Sequence, residues 1–76
     1  MIDKILKTVS EVLAIEVDEN TSQKNCDKWD SLQHLNIIVA LEDAFDVSFE
    51  PEEIASMKNI GTIEEIIQSK NKWNLL

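Results

Sequence analysis

The sequence predicts an all-α fold: a small antiparallel four-helix bundle of three longer helices and one short one, with a long loop between the first two. Apolar residues recur at three- and four-residue intervals over two long stretches, near residues 2–15 and 31–45. Helix-start signals stand at Asp30, at Glu50-Pro51 and at Thr62. No stretch alternates apolar and polar residues as a half-buried strand would. The 76 residues are expected to form one domain over 1–76, without internal repeat or interdomain linker.

The first helix is expected over 2–15, where Ile2, Ile5, Leu6, Val9, Val12 and Leu13 make one apolar stripe. Lys4, Lys7, Ser10 and Glu11 lie off it on a solvated face. From Glu16 to Asp30 the periodicity stops, and Asp18, Glu19, Asn20, Ser22, Asn25 and Asp27 supply turn and capping chemistry. Connections of about fifteen residues are uncommon in compact domains unless they are functional or hold turns of their own. Val17 and Trp29 are expected to pin this loop to the core, Trp29 by stapling onto His34.

The second helix should run from Ser31 to Phe45 or Asp46. Asp30 stands at its N-cap with Gln33 three residues on, so the pair can close a capping box. Ser31 becomes the first helical residue, and its hydroxyl projects from a helix end that favours an attached phosphate. The run Ile37–Leu41 is apolar all round, so this helix has two apolar duties. At about 100° per residue, His34, Ile38, Leu41 and Phe45 share a core face, while Leu32, Asn36, Val39, Asp43 and Asp46 share another. The second face has the apolar centre and acidic rim of a docking surface, unless the long loop covers Leu32 and Val39. His34 is expected inside, as a hydrogen-bonded core histidine.

Pro51 at a first helical position, acids around it, and Phe49 placed to staple onto Ile54 mark a short third helix ending near Met57. Ile60 is expected to return to the core before Gly61. Thr62-Ile63-Glu64-Glu65 reads as a capping box opening the fourth helix, with Ile63, Ile66 and Ile67 buried and Lys70 near its C-terminus. The tail, residues 70–76, is expected to fray unless Trp73 folds back.

Composition narrows the function. A chain this short buries only about 60% of its unfolded surface, which leaves little room for a self-contained catalytic cleft. The net charge of −8 disfavours nucleic acid and anionic lipid and suits basic protein partners. The charge is uneven: −2 over residues 1–26, −7 over 27–53 and +1 over 54–76. Cys26 is the only cysteine, so neither an intrachain disulfide nor a thiolate cluster can form. The acidic loop lacks the alternating ligands and glycine of an EF-hand, and no metal site is expected. No segment has the apolar length of a signal peptide or a membrane span, so a cytoplasmic monomer without membrane insertion is expected.

Trp29-Asp30-Ser31-Leu32 followed by Leu41-Glu42-Asp43-Ala44-Phe45 resembles the acyl carrier protein family, and the resemblance covers nearly the whole chain. It implies that Ser31, between Asp30 and Leu32 of the motif, takes a 4′-phosphopantetheine arm from coenzyme A through a phosphopantetheinyl transferase. Acyl groups would then ride on the arm's thiol as thioesters, loaded, modified and removed by enzymes with basic surfaces that meet the second helix at Leu32, Asn36, Val39, Asp43 and Asp46. The domain itself would not be an enzyme, and His34 would line an acyl-chain cavity.

The sequence also departs from the family. Carriers of housekeeping fatty acid synthesis usually bear acids two and five residues after the serine, where Gln33 and Asn36 stand here. A dedicated pathway, in specialised lipid, polyketide or other secondary metabolism or in glycan modification, is the expectation. An aminoacyl or peptidyl carrier would share fold and arm, but such carriers often show Gly-Gly before the serine, where Lys28-Trp29 stands. The other alternative is a helical interaction module in which Ser31 is only a good helix-start residue.

Overall fold

In the computed structural model the described residues run from Ile2 to Asn71, with side chains described through Lys70. Helix α1, Ile2–Leu13, buries Ile5, Val9 and Leu13, and Ile2, Leu6 and Val12 flank that stripe half-buried. It stops two residues short of the expected end because Ala14 turns to φ 59, a backbone reversal that ends helices. Ile15 thereby leaves the helix and packs against the core from the loop.

The loop's polar residues satisfy one another. Asp18 Oδ1 accepts from the Asn20 amide at 2.8 Å, and the Asp18 amide donates to Thr21 Oγ1 at 3.0 Å. Asn25 closes the next turn by accepting from the Ser22 amide at 3.0 Å and donating to Asn20 O at 3.0 Å. The loop is then stitched to the far side of the bundle. The Gln23 amide donates to Lys58 O at 2.7 Å and the Ile60 amide to Thr21 O at 3.2 Å, with an isolated antiparallel bridge between Ser22 and Asn59. No strand forms among the described residues.

Helix α2, Ser31–Phe45, has the expected bounds. Asp46 ends it at φ 53 and ψ 51, a left-handed conformation that aspartate tolerates, and its amide donates to Glu42 O. The Glu42 side chain then holds the next connection, since its Oε2 accepts from the Phe49 amide at 2.9 Å.

Helix α3 is only Pro51–Ser56 and buries no residue completely. Its start is held by the Glu50 amide, which donates to Glu53 Oε1 at 2.8 Å. Glu53 also pairs with Lys70 of the fourth helix at 2.8 Å, and that ammonium holds the carboxyl below its ordinary value. Met57, immediately after the helix, is fully buried.

Helix α4, Ile60–Asn71, begins two residues before the expected capping box at Thr62. Asn59 is the cap instead: its Oδ1 accepts from the Thr62 amide at 2.8 Å and its carbonyl from the Ile63 amide at 3.2 Å. Thr62 and Gly61 lie inside the helix, and the earlier start carries Ile60 into the core with Ile63 and Ile67, while Ile66 is half-buried. Lys70 is helical and ion-paired, near the C-terminal end of α4 where it was expected. Residues 72–76, including Trp73, lie outside the described residues.

Helix α1 packs against both α2 and α4. The core joins Ile5, Val9 and Leu13 to Ile37, Ile38 and Leu41, with Trp29, Phe49, Met57 and the α4 isoleucines closing its ends. No helix among the described residues is long and apolar enough to cross a membrane.

Candidate functional site

The candidate site is the first turn of α2, and its position is fixed from the loop side by Trp29. The indole is 1% exposed, and its backbone amide donates to Cys26 O at 3.1 Å. Its Nε1–H donates to His34 Nδ1 at 3.0 Å, with the two rings stacked at 25° and centroids 6.1 Å apart. An indole can only donate, so Nδ1 accepts and the imidazole proton resides on Nε2. Nε2 lies 2.8 Å from Ile54 O, which fixes it as the donor to α3. His34 is therefore a neutral core histidine with both nitrogens engaged, as expected of its inward position. It is not free to act as a general base.

Asp30 caps the helix: its Oδ1 accepts from the Gln33 amide at 2.8 Å and its carbonyl from the His34 amide at 2.8 Å. Such a cap contributes about 1 kcal/mol. The second half of the expected capping box is replaced. Gln33 Oε1 turns along the helix to accept from Asn36 Nδ2 at 3.1 Å. Ser31 is exposed at the first helical position, where the unpaired amides of a helix start and the positive end of its dipole face outward.

Below Ser31 the outer face of α2 is open. Leu32 is 69% exposed and Val39 64%, so the long loop does not cover them. Asn36, Asp43 and Asp46 are exposed beside them. Leu35, 56% exposed, widens the apolar strip. Sequence reasoning missed it, although the signal was present: residues 32, 35, 36 and 39 follow the i, i+3, i+4, i+7 pattern of one helix face. The residues named from sequence are thus all exposed, four along α2 and Asp46 at its C-cap.

Among the described residues, no group of three or more His, Cys, Asp or Glu side chains is placed to hold a metal ion. The arrangement offers a presented primary hydroxyl, a rigid helix start and an apolar strip edged with acids.

Comparison with known proteins points the same way. The family described as "Phosphopantetheine attachment site" matches residues 3–68. An acyl carrier protein from Prochlorococcus marinus (strain MIT 9515) is 30% identical over 73 residues, covering 92% of this chain and 91% of that protein. Another, from Exiguobacterium sp. (strain ATCC BAA-1283 / AT1b), is 29% identical over 69 residues, 87% of each chain.

Proposed function

The chain belongs to the acyl carrier protein family, whose members bear a covalent 4′-phosphopantetheine and catalyse nothing themselves, and on that premise we propose that Ser31 is the attachment site. The observation that carries the assignment is the exposed Ser31 hydroxyl at a capped helix start, anchored two residues upstream by a buried tryptophan. The residues fit the group. A phosphodiester at this position lies against the positive end of α2, and Ser31 is exposed.

Ser31 Oγ bonds to the phosphorus that bears the pantetheine portion of coenzyme A, the pyrophosphate bond breaks, and adenosine 3′,5′-bisphosphate leaves. The serine proton passes to the transferase, since His34 has no free nitrogen to receive it. Once attached, the arm supplies a thiol that holds acyl groups as thioesters. Asp30 and Trp29 keep the helix start in one position, so that each partner finds the arm's root in the same place.

Partner enzymes dock on Leu32, Asn36, Val39, Asp43 and Asp46, with the net −7 of residues 27–53 steering basic surfaces toward Ser31. Gln33 and Asn36 are neutral and bonded to each other, so the strip lacks acids near its N-terminal end. That favours a dedicated partner set over the general fatty acid synthesis enzymes. We assign the whole of residues 1–76 to this one cytoplasmic domain. Incubation with coenzyme A and a broad-specificity phosphopantetheinyl transferase should add a single arm by intact mass, and Ser31→Ala should add none. An unmodified chain under conditions that load a control carrier would leave only an interaction module.

A further inference from the structure

Ser31 lies inside a segment of chain that a side-chain bond closes on itself. The Trp29 indole, on the loop side of the serine, donates through Nε1–H to His34 Nδ1, one turn along α2, at 3.0 Å. Residues 29–34 are thus tied at both ends, with the Asp30 cap between them. The two ties differ in kind. Asp30 is exposed, so water competes for its bond to the Gln33 amide. Trp29 and His34 are buried, and parting them leaves an indole N–H without a partner, which disfavours the open segment by roughly 5- to 150-fold. The acceptor is held ready from the other side. Ile54 O, in α3, lies 2.8 Å from His34 Nε2 and keeps the imidazole proton there, so the Nδ1 lone pair stays turned to the indole. With both nitrogens engaged, the imidazole touches no reacting atom itself.

We propose that His34 is a positioning residue for the chemistry at Ser31: through Trp29 it fixes the backbone that carries the serine, and so the approach of its hydroxyl, while a transferase attaches the arm. This rests on Ser31 being the attachment site. In that step Ser31 Oγ bonds to phosphorus as the pyrophosphate bond of coenzyme A breaks, the serine proton passing to the transferase and adenosine 3′,5′-bisphosphate leaving. The attacking oxygen must come in line with the bond that breaks. A misplacement of about 1 Å in such a step costs up to about 100-fold in rate. A helix start held only by an exposed cap lets residues 29–31 swing, whereas the buried tie holds them. Docking is a separate matter. Leu32, Asn36, Val39 and Asp43 are exposed and take no part in the tie, so its loss leaves the surface that a partner meets unchanged.

The test is arm transfer in a single turnover, followed by intact mass, for wild type, Trp29→Phe, His34→Leu and the double variant. Each is mixed with saturating coenzyme A and a varied excess of a broad-specificity phosphopantetheinyl transferase, at a temperature where circular dichroism shows it folded. Each single variant should lose about 10-fold in the rate at saturating transferase, while the half-saturating transferase concentration stays within about twofold of wild type. Both substitutions open the same bond, so the double variant should be no more than about twofold slower than the slower single one. A folded single variant that reacts at the wild-type rate would show a tie that only stabilises the fold, which overturns the proposal. A loss confined to the half-saturating concentration, or single losses that multiply in the double variant, would overturn it too. If His34→Leu does not fold, Trp29→Phe, which keeps an aromatic ring and removes the donor, decides alone. A wild type that takes no arm removes the Ser31 assignment and this proposal with it, whereas an armed wild type with indifferent variants removes the proposal alone.

Discussion

Replacing His34 by leucine removes two hydrogen bonds at once and is expected to be among the most destabilising single changes in the protein. The two losses are unequal. Trp29 Nε1–H has His34 as its partner in a site 1% exposed, so leaving it unpaired costs about 1–3 kcal/mol. Ile54 O still accepts from the Met57 amide at 3.3 Å, so its lost bond is worth only the net value of about 0.5–1.5 kcal/mol. Together these come to roughly 2–4 kcal/mol, a fall in melting temperature of about 10–25 °C for a domain of this size. Thermal and urea unfolding followed by far-ultraviolet circular dichroism measure it. A double-mutant cycle with Trp29→Phe isolates the indole–imidazole bond and should return a coupling of about 1–2 kcal/mol. A His34→Leu protein melting within about 3 °C of wild type, or a cycle whose single effects simply add, would refute the reasoning.

The steering charge is tested by Asp43→Lys with Asp46→Asn, the asparagine chosen because it tolerates the left-handed turn at φ 53. Both this pair and added salt should slow association with loading enzymes while the fold is unchanged, as measured by stopped flow and circular dichroism. Gln33→Glu with Asn36→Glu should raise malonyl loading by a fatty acid synthesis transacylase by up to about fivefold per added pair, whereas efficient loading of the native sequence would count against a dedicated partner set. Glu53→Gln tests the α3–α4 tie. The Lys70 ammonium and the Glu50 amide lower the Glu53 pKa, so the tie stabilises above the ordinary value of 4.5 and its contribution fades as pH falls through the folded value. The variant should be less stable than wild type by under about 1 kcal/mol at pH 7, with the gap closing in acid. A gap that widened in acid would reverse the sign.

Helix α2 was legible in the sequence because independent signals agree there: a cap at Asp30 and continuous helical periodicity from Ser31 on. The inward position of His34 followed from helical geometry alone, whereas the exposure of Leu32 and Val39 depended on the path of the long loop, which periodicity does not give. The start of α4 was not legible for a physical reason. Asn59 and Thr62 are both good caps three residues apart, and local sequence does not decide between them. Gln33 was similar: its side chain can reach back to the cap or forward to Asn36, and sequence spacing permits both. The bridge from Trp29 through His34 to the Ile54 carbonyl is a long-range contact, and no local pattern announces its second half. The stitching of residues 21–23 onto the start of α4 is of the same kind.

The most direct test of the carrier assignment is where the arm attaches. After reaction with coenzyme A and transferase, the protein is digested and the modified peptide is sequenced by tandem mass spectrometry, with Ser10, Ser22, Ser48, Ser56 and Ser69 as internal alternatives. The structure predicts one phosphopantetheine, on Ser31, and none elsewhere. An arm on any other serine, or modification that persists in Ser31→Ala, would contradict it.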